Sequence, residues 1–120
     1  MIQPSREMHI FPTPSGSCEI ALYDILWAEG STEGKKRPTL LHLADQVVSC
    51  TTPFETLRPL LGDTFLSCLS DGAVNELRIR SFEGDQIEID TGEILKVPPF
   101  LAPKFREKFC RDLASWVWVD

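Results

Sequence analysis

Two short runs of alternating residues constrain this chain more than any other feature. Leu77 and Ile79 alternate with Arg78 and Arg80, and Ile87 and Ile89 alternate with Glu88 and Asp90. A period of two puts the apolar side chains on one face and the charges on the other, the pattern of half-buried antiparallel strands. Glu83-Gly84-Asp85 lies between them and reads as a turn. A slip of one residue in register moves every side chain to the opposite face, so only an odd-length turn sets apolar against apolar. A turn at Glu83-Gly84-Asp85 then places Arg80 opposite Glu88 and Arg78 opposite Asp90, with Ile79 and Ile89 on the buried side. Cross-strand pairs of this kind stabilise by about 0.2–1 kcal/mol each. These arginines are thereby partnered, and poor choices for gripping phosphate.

The same reading extends along the chain. Strands are expected at Glu7–Phe11, Cys18–Ala21 and Ile25–Glu29, followed by a loop over Gly30–Pro38. Thr39–Ala44 and Gln46–Cys50 form a hairpin turning near Asp45. At Thr52-Pro53-Phe54-Glu55 the signal changes to helix: Thr52 suits the cap, Pro53 the first helical position, and Glu55 completes a capping box. Phe54, Leu57 and Leu61 share one face, while Pro59 and Gly62 keep that helix short. Further strands are expected at Phe65–Leu69, Val74–Phe82, Gln86–Asp90 and Glu93–Val97, where Pro98-Pro99 stops the sheet. A last helix runs from about Ala102 to Trp116, with Phe105, Phe109, Leu113 and Trp116 as its buried stripe.

At 120 residues there is room for one domain over 1–120 with one real core, and no repeat or linker divides it. No apolar run approaches the roughly 18 residues of a membrane helix, and Met1–Arg6 lacks the layout of a signal peptide. A cytoplasmic location is the expectation. Cys18, Cys50, Cys68 and Cys110 are widely separated and not in close pairs with each other or with His9 and His42. They read as free thiols packed like small hydrophobes, with no metal and no cofactor implied. Catalytic signatures such as Gly-x-Ser-x-Gly, a phosphate-cradling glycine loop or His-Glu-x-x-His are absent, so no enzymatic activity is expected. His42 sits within an apolar strand pattern and reads as half-buried.

The order and spacing of five pieces resemble the LytTR-type DNA-binding domain, over about 20–113. Ile25-Leu26-Trp27-Ala28-Glu29 is similar to the family's early strand, which ends in an aromatic, an apolar residue and Glu. Phe54–Leu61 falls at its short leucine-bearing helix. Phe65, separated by eight residues from Val74-Asn75, resembles its most recognisable stretch. Gly92 and Ile94–Val97 fit its glycine-led final strand, with a C-terminal helix behind. The resemblance implies a mainly β, LytTR-like arrangement of small antiparallel β-sheets with a short internal helix and a C-terminal helix. It also implies a bacterial transcription regulator whose loops enter DNA grooves. Family members usually carry a receiver or membrane-sensor domain as well; here the LytTR-like domain is expected alone.

The chain departs from the family where DNA is approached. Between Phe and Val-Asn the family carries an Arg, a His and another Arg; here these positions are Ser67, Leu69 and Ser70, followed by Asp71. Pro98-Pro99 stands where the family has Ser-Arg, and the early loop is longer. The net charge of −6 is also opposite to that of most phosphate-gripping domains. Lys35-Lys36-Arg37 is the only contiguous basic run and reads either as phosphate contacts or as a solvated loop. Lys104, Lys108 and Arg111 form a second stripe on the last helix, where Glu107 can pair with Arg111 one turn on. The candidate contacts with double-stranded DNA are Lys35, Lys36, Arg37, Ser67, Ser70 and Asn75. An Asn just after a strand, as Asn75 is, also commonly satisfies local backbone groups. The competing reading is an interaction domain that kept the scaffold, lost the DNA surface and binds a regulatory protein partner.

Overall fold

Neighbouring residues in a strand point to opposite faces, and the middle strands of this chain carry apolar residues in adjacent pairs. The computed structural model describes residues 8–31 and 37–117, with side chains through 112. In it, ten strands form three antiparallel sheets. β1 (Met8–Thr13) and β2 (Gly16–Ala21) make a hairpin. β3 (Trp27–Gly30), β4 (Thr39–His42), β5 (Val47–Cys50), β6 (Phe65–Leu69) and β7 (Gly72–Asn75) make a five-stranded sheet in the order β5-β4-β3-β7-β6. β8 (Ile79–Glu83), β9 (Gln86–Ile89) and β10 (Ile94–Lys96) make the third sheet. Helix α1 (Phe54–Leu61) precedes β6, and α2 (Ala102–Val117) follows β10.

The apolar pairs bury both faces of the five-stranded sheet. Ala28, Phe65 and Ala73 point to one side, into a core with Phe11, Ile20, Leu41, Leu57 and Leu61. Trp27, Leu66 and Val74 point to the other, into a second core with Ile87, Ile89, Val97 and Phe105. The hairpin and α1 cover the first face; the third sheet and α2 cover the second. Two buried layers replace the single core expected of a chain this size.

The β8–β9 hairpin reaches its expected pairing by a different route. Glu83 pairs with Gln86, so the loop is the two residues Gly84-Asp85 and not a three-residue turn. Gly84 has φ +63°, which its missing side chain tolerates. A two-residue loop alone would set Arg80 against Ile89. A bulge between Ile79 and Ser81 takes up the extra residue, and Ile79 again faces Ile89. The charged pairs survive: Arg78 Nε donates to Asp90 Oδ2 at 2.6 Å, and Arg80 Nη1 lies 3.8 Å from Glu88 Oε2.

Two other expectations are corrected. Val74–Phe82 is not one strand, because Glu76–Arg78 forms a single 3₁₀ turn that hands the chain from one sheet to the next. Asn75 starts that turn by accepting from the Leu77 amide at 3.1 Å, a local bond that competes with the ladder. Thr52 does not cap α1. Thr39 Oγ1 donates to the Thr52 carbonyl at 2.7 Å, and the helix begins one residue late, with Pro53 in the cap position and no side-chain cap. The Thr56 and Leu57 amides donate to the Pro53 carbonyl at 3.1 and 3.0 Å.

Helix α2 lies on the third sheet through aromatic edges. The Phe82 and Phe105 rings meet edge-on with centroids 4.9 Å apart, and Phe109 continues the row. Arg106 donates to the Gly84 carbonyl and covers the Phe82 ring. Leu113 and Trp116, the rest of the expected stripe, have side chains outside the described residues. The cysteines are all free thiols; Cys50 and Cys68 are buried and Cys18 half-buried, whereas Cys110 is exposed on α2 and is not packed as expected.

Candidate nucleic-acid interface

One end of the five-stranded sheet gathers three segments. The Gly30 amide donates to the Asp71 carbonyl at 2.7 Å, and the Ser31 amide to the Pro38 carbonyl at 2.7 Å. A Cβ on Gly30 would lie 3.3 Å from that of Asp71 and 3.4 Å from that of Phe54, so the missing side chain lets β3, the Ser70-Asp71 turn and the start of α1 converge. They enclose a cavity of about 130 Å³ lined by Ser31, Arg37, Phe54, Glu55 and Asp71, among others. Arg37 has φ +42°, a conformation that costs a non-glycine residue roughly 1 kcal/mol or more. Ser70, next to Asp71 in the β6–β7 turn, is exposed. Lys35 and Lys36 lie outside the described residues. The structure therefore brings Arg37 and the Ser70-Asp71 turn together, but with two carboxylates in the same cavity.

Ser67 belongs to a different place. It is exposed on β6, where a bulge between Ser67 and Leu69 leaves Cys68 buried and Leu69 half-buried. Burial pushes the Cys68 thiol up to about 12, so it stays neutral. Ser67 faces a cavity of about 280 Å³ between β6, the end of α1 and α2, lined by Arg58, Asp63, Lys104 and Lys108 as well as by Phe65, Leu66, Leu101 and Phe105. Arg58 Nη2 donates to the Phe65 carbonyl at 2.7 Å and Nη1 to the Gly62 carbonyl at 3.2 Å. Lys108 Nζ reaches Asp112 Oδ2 at 2.8 Å. Reading α2 alone assigned Lys104 and Lys108 to a solvated outer face and did not single out Arg58. Arg58 comes from α1, far from the two α2 lysines in sequence, and no local spacing announces that it meets them.

Asn75 is 1% exposed, and its polar atoms are spent inside the fold. Nδ2 donates to the Tyr23 and Ile25 carbonyls at 3.2 and 3.1 Å, while Oδ1 accepts from Leu77. Next to it Glu76 is 4% exposed. Burial, reinforced by a hydrogen bond with the Asp112 carboxyl, pushes Glu76 up to about 8. Burial opposes ionisation of Asp112, but the bonds from Lys108 and Glu76 outweigh it and hold Asp112 below its ordinary range.

Arg78 and Arg80 are committed as the sequence suggested. Arg78 holds Asp90 with two nitrogens, donates to the Tyr23 carbonyl at 3.1 Å and covers the Tyr23 ring. Arg80 donates to the Asp90 carbonyl at 2.7 Å. On α2, Arg111 pairs with Glu107 at 3.0 Å. His42 is half-buried, stacked on Trp27 at 4.0 Å between centroids, with Nε2 2.9 Å from Glu29 Oε1. Among the described residues no group of His, Cys, Asp and Glu could hold a metal, and no helix is long and apolar enough to cross a membrane.

The architecture is that of a known class. A solved structure of the LytTr DNA-binding domain of a methyl-accepting/DNA response regulator from Bacillus cereus matches this chain with a TM-score of 0.68 at 20% identity. The match covers 84% of this chain and 94% of that one. The chain thus has the LytTR-type fold, in agreement with the motif spacing from Ile25 to Val97. No family model matches the sequence, and neither does any curated protein.

Proposed function

We propose that this domain is a bacterial transcription regulator that binds double-stranded DNA through the loop end of its LytTR-type fold. The observation that carries this reading is the fold match over 84% of the chain to a domain described as DNA-binding. The contact surface in this reading combines Lys35, Lys36 and Arg37 with Ser70, and Ser67 contacts DNA from β6. Asn75 serves the reading from inside, by fixing the turn that joins the two larger sheets. Each phosphate neutralised on duplex DNA steepens the dependence of log affinity on log salt by about 0.9. The three loop cations contribute no more than about 3 to that slope. Replacing all three by Ala should remove that part, measured by titrating the chain into a mixed-sequence duplex library at several salt concentrations. An unchanged slope would place the contacts elsewhere.

A second reading, an interaction domain for a regulatory protein partner, is favoured by one observation. Met8 and Ile10 project from the same face of β1 with 51% and 70% of their surface exposed, on a chain of net charge −6. Failure of the intact chain to bind the library at low salt would favour it.

A further inference from the structure

We infer that the cavity between β6 and α2 is a phosphodiester-binding site, with Arg58, Lys104 and Ser67 as its contacting groups and Lys108 on its wall. The inference rests on the DNA-binding reading and extends it to a surface that the loop does not include.

Charge separates this cavity from the others. Three cations and one carboxylate, Asp63, line it, on a chain whose net charge is −6. The loop-end cavity has Arg37 against Glu55 and Asp71. The cavity beside β2 has Arg78 against Glu19, Asp24 and Asp45. The cavity beside β8 has Arg80 and Arg106 against Glu76, and Arg80 is drawn to Glu88. Of these four cavities the one between β6 and α2 has the most cations.

The hydrogen bonding separates it further. Arg58 is held by the carbonyls of Gly62 and Phe65, which are neutral acceptors. They fix the guanidinium without cancelling its charge, so the ordering is complete before a ligand arrives. Lys104 makes no ion pair among the described residues and stands in the first turn of α2, exposed. Ser67 supplies a hydroxyl from β6, able to donate to a phosphate oxygen. Lys108, by contrast, is engaged by Asp112 and adds its charge only in part. The apolar wall of Phe65, Leu101 and Phe105 strengthens the field of the cations by lowering the local dielectric. A volume of about 280 Å³ accommodates a phosphate with part of its sugar.

The test uses the intact chain, its Lys104→Gln and Lys104→Glu variants, and the Lys35, Lys36 and Arg37 triple alanine variant, each titrated into a labelled mixed-sequence duplex library. Lys104 is the residue to change because it is exposed and makes no ion pair among the described residues, whereas removing Arg58 would strand two carbonyls. Lys104→Gln should make the salt slope shallower by about 0.9 and weaken binding roughly five- to tenfold near 0.1 M salt. Lys104→Glu should weaken it more. The triple variant should keep a residual slope of about −2, which Lys104→Gln then reduces. If both Lys104 variants bind with the affinity and slope of the parent while the triple variant fails, this site is wrong and the loop reading stands. If the parent chain binds nothing at low salt, both are overturned.

Discussion

The third sheet and the β6–α2 cavity each carry arginine, and they use it in opposite ways. At the sheet Arg78, in the turn that leads into it, and Arg80, on β8, are answered by Asp90 and Glu88, carboxylates at the end of β9 and on it. At the cavity, Arg58 is answered by two backbone carbonyls, and Lys104 by no carboxylate among the described residues. The first arrangement spends charge on pairing, closely at Arg78 and loosely at Arg80. The second orders a charge and leaves it available. In an acidic chain, what decides a nucleic-acid surface is therefore the partner of each cation and not the number of cations.

Four changes would break or sharpen that contrast. The largest effect is expected for Arg78→Ala, which takes the side-chain donor from the Asp90 carboxylate, leaves the Tyr23 carbonyl to Asn75 alone and strips the Tyr23 ring. It should cost about 2–3 kcal/mol in urea unfolding, and the salt slope for DNA should not change. A large change in slope would show that Arg78 also contacts phosphate.

Glu76→Gln probes the carboxyl buried behind Lys108. A folded pKa of about 8, against an ordinary 4.5, means that the folded state holds a proton that the unfolded chain releases between those values. Stability should fall as pH rises through that window, by up to about 1.4 kcal/mol per unit, and level off above it. Glu76→Gln should flatten the fall and stabilise the domain at pH 8, with little effect near pH 4.5. In DNA titrations the parent should weaken above pH 8, when a new negative charge appears behind Lys108, and the variant should not. Equal pH profiles of stability for the two chains would contradict the assignment.

Ser67→Arg adds a cation at the mouth of the cavity. It should tighten DNA binding severalfold, roughly 1 kcal/mol, and steepen the slope by about 0.9. Weaker binding would mean that the cavity mouth must stay small. The smallest effect is expected for Arg80→Ala, whose ion pair is long and exposed. About 0.5 kcal/mol of stability and no change in DNA affinity are expected.

How much of this was legible in the sequence follows from the range of the interactions. The Arg78–Asp90 and Arg80–Glu88 pairs could be read from the parity of apolar positions, because pairing across a hairpin is local. The device that enforces them could not: a two-residue loop with a bulge at Arg80 and a three-residue turn without one give the same Ile79–Ile89 register. Asn75 and Thr52 show the same limit at the level of hydrogen bonds. Asn75 matched a strand motif, but its partners Tyr23 and Ile25 are some 50 residues away. Thr52 suits a cap, yet its backbone is claimed by Thr39 from the neighbouring hairpin. The fold itself was readable, since the five motif pieces fall in the chain order of its strands and helices. The β6–α2 cavity was not, because Arg58, Ser67 and Lys104 lie on three elements and no periodicity links them.

We propose that this LytTR-type domain grips DNA with a few uncancelled cations on a chain of net charge −6. The measurement that tests it most directly is the affinity of the intact chain for a mixed-sequence duplex library as a function of salt. A straight log–log plot with a slope between about −3 and −5 is the expected result, from three loop contacts and two at the cavity. A flat plot, or no binding at low salt, would contradict it.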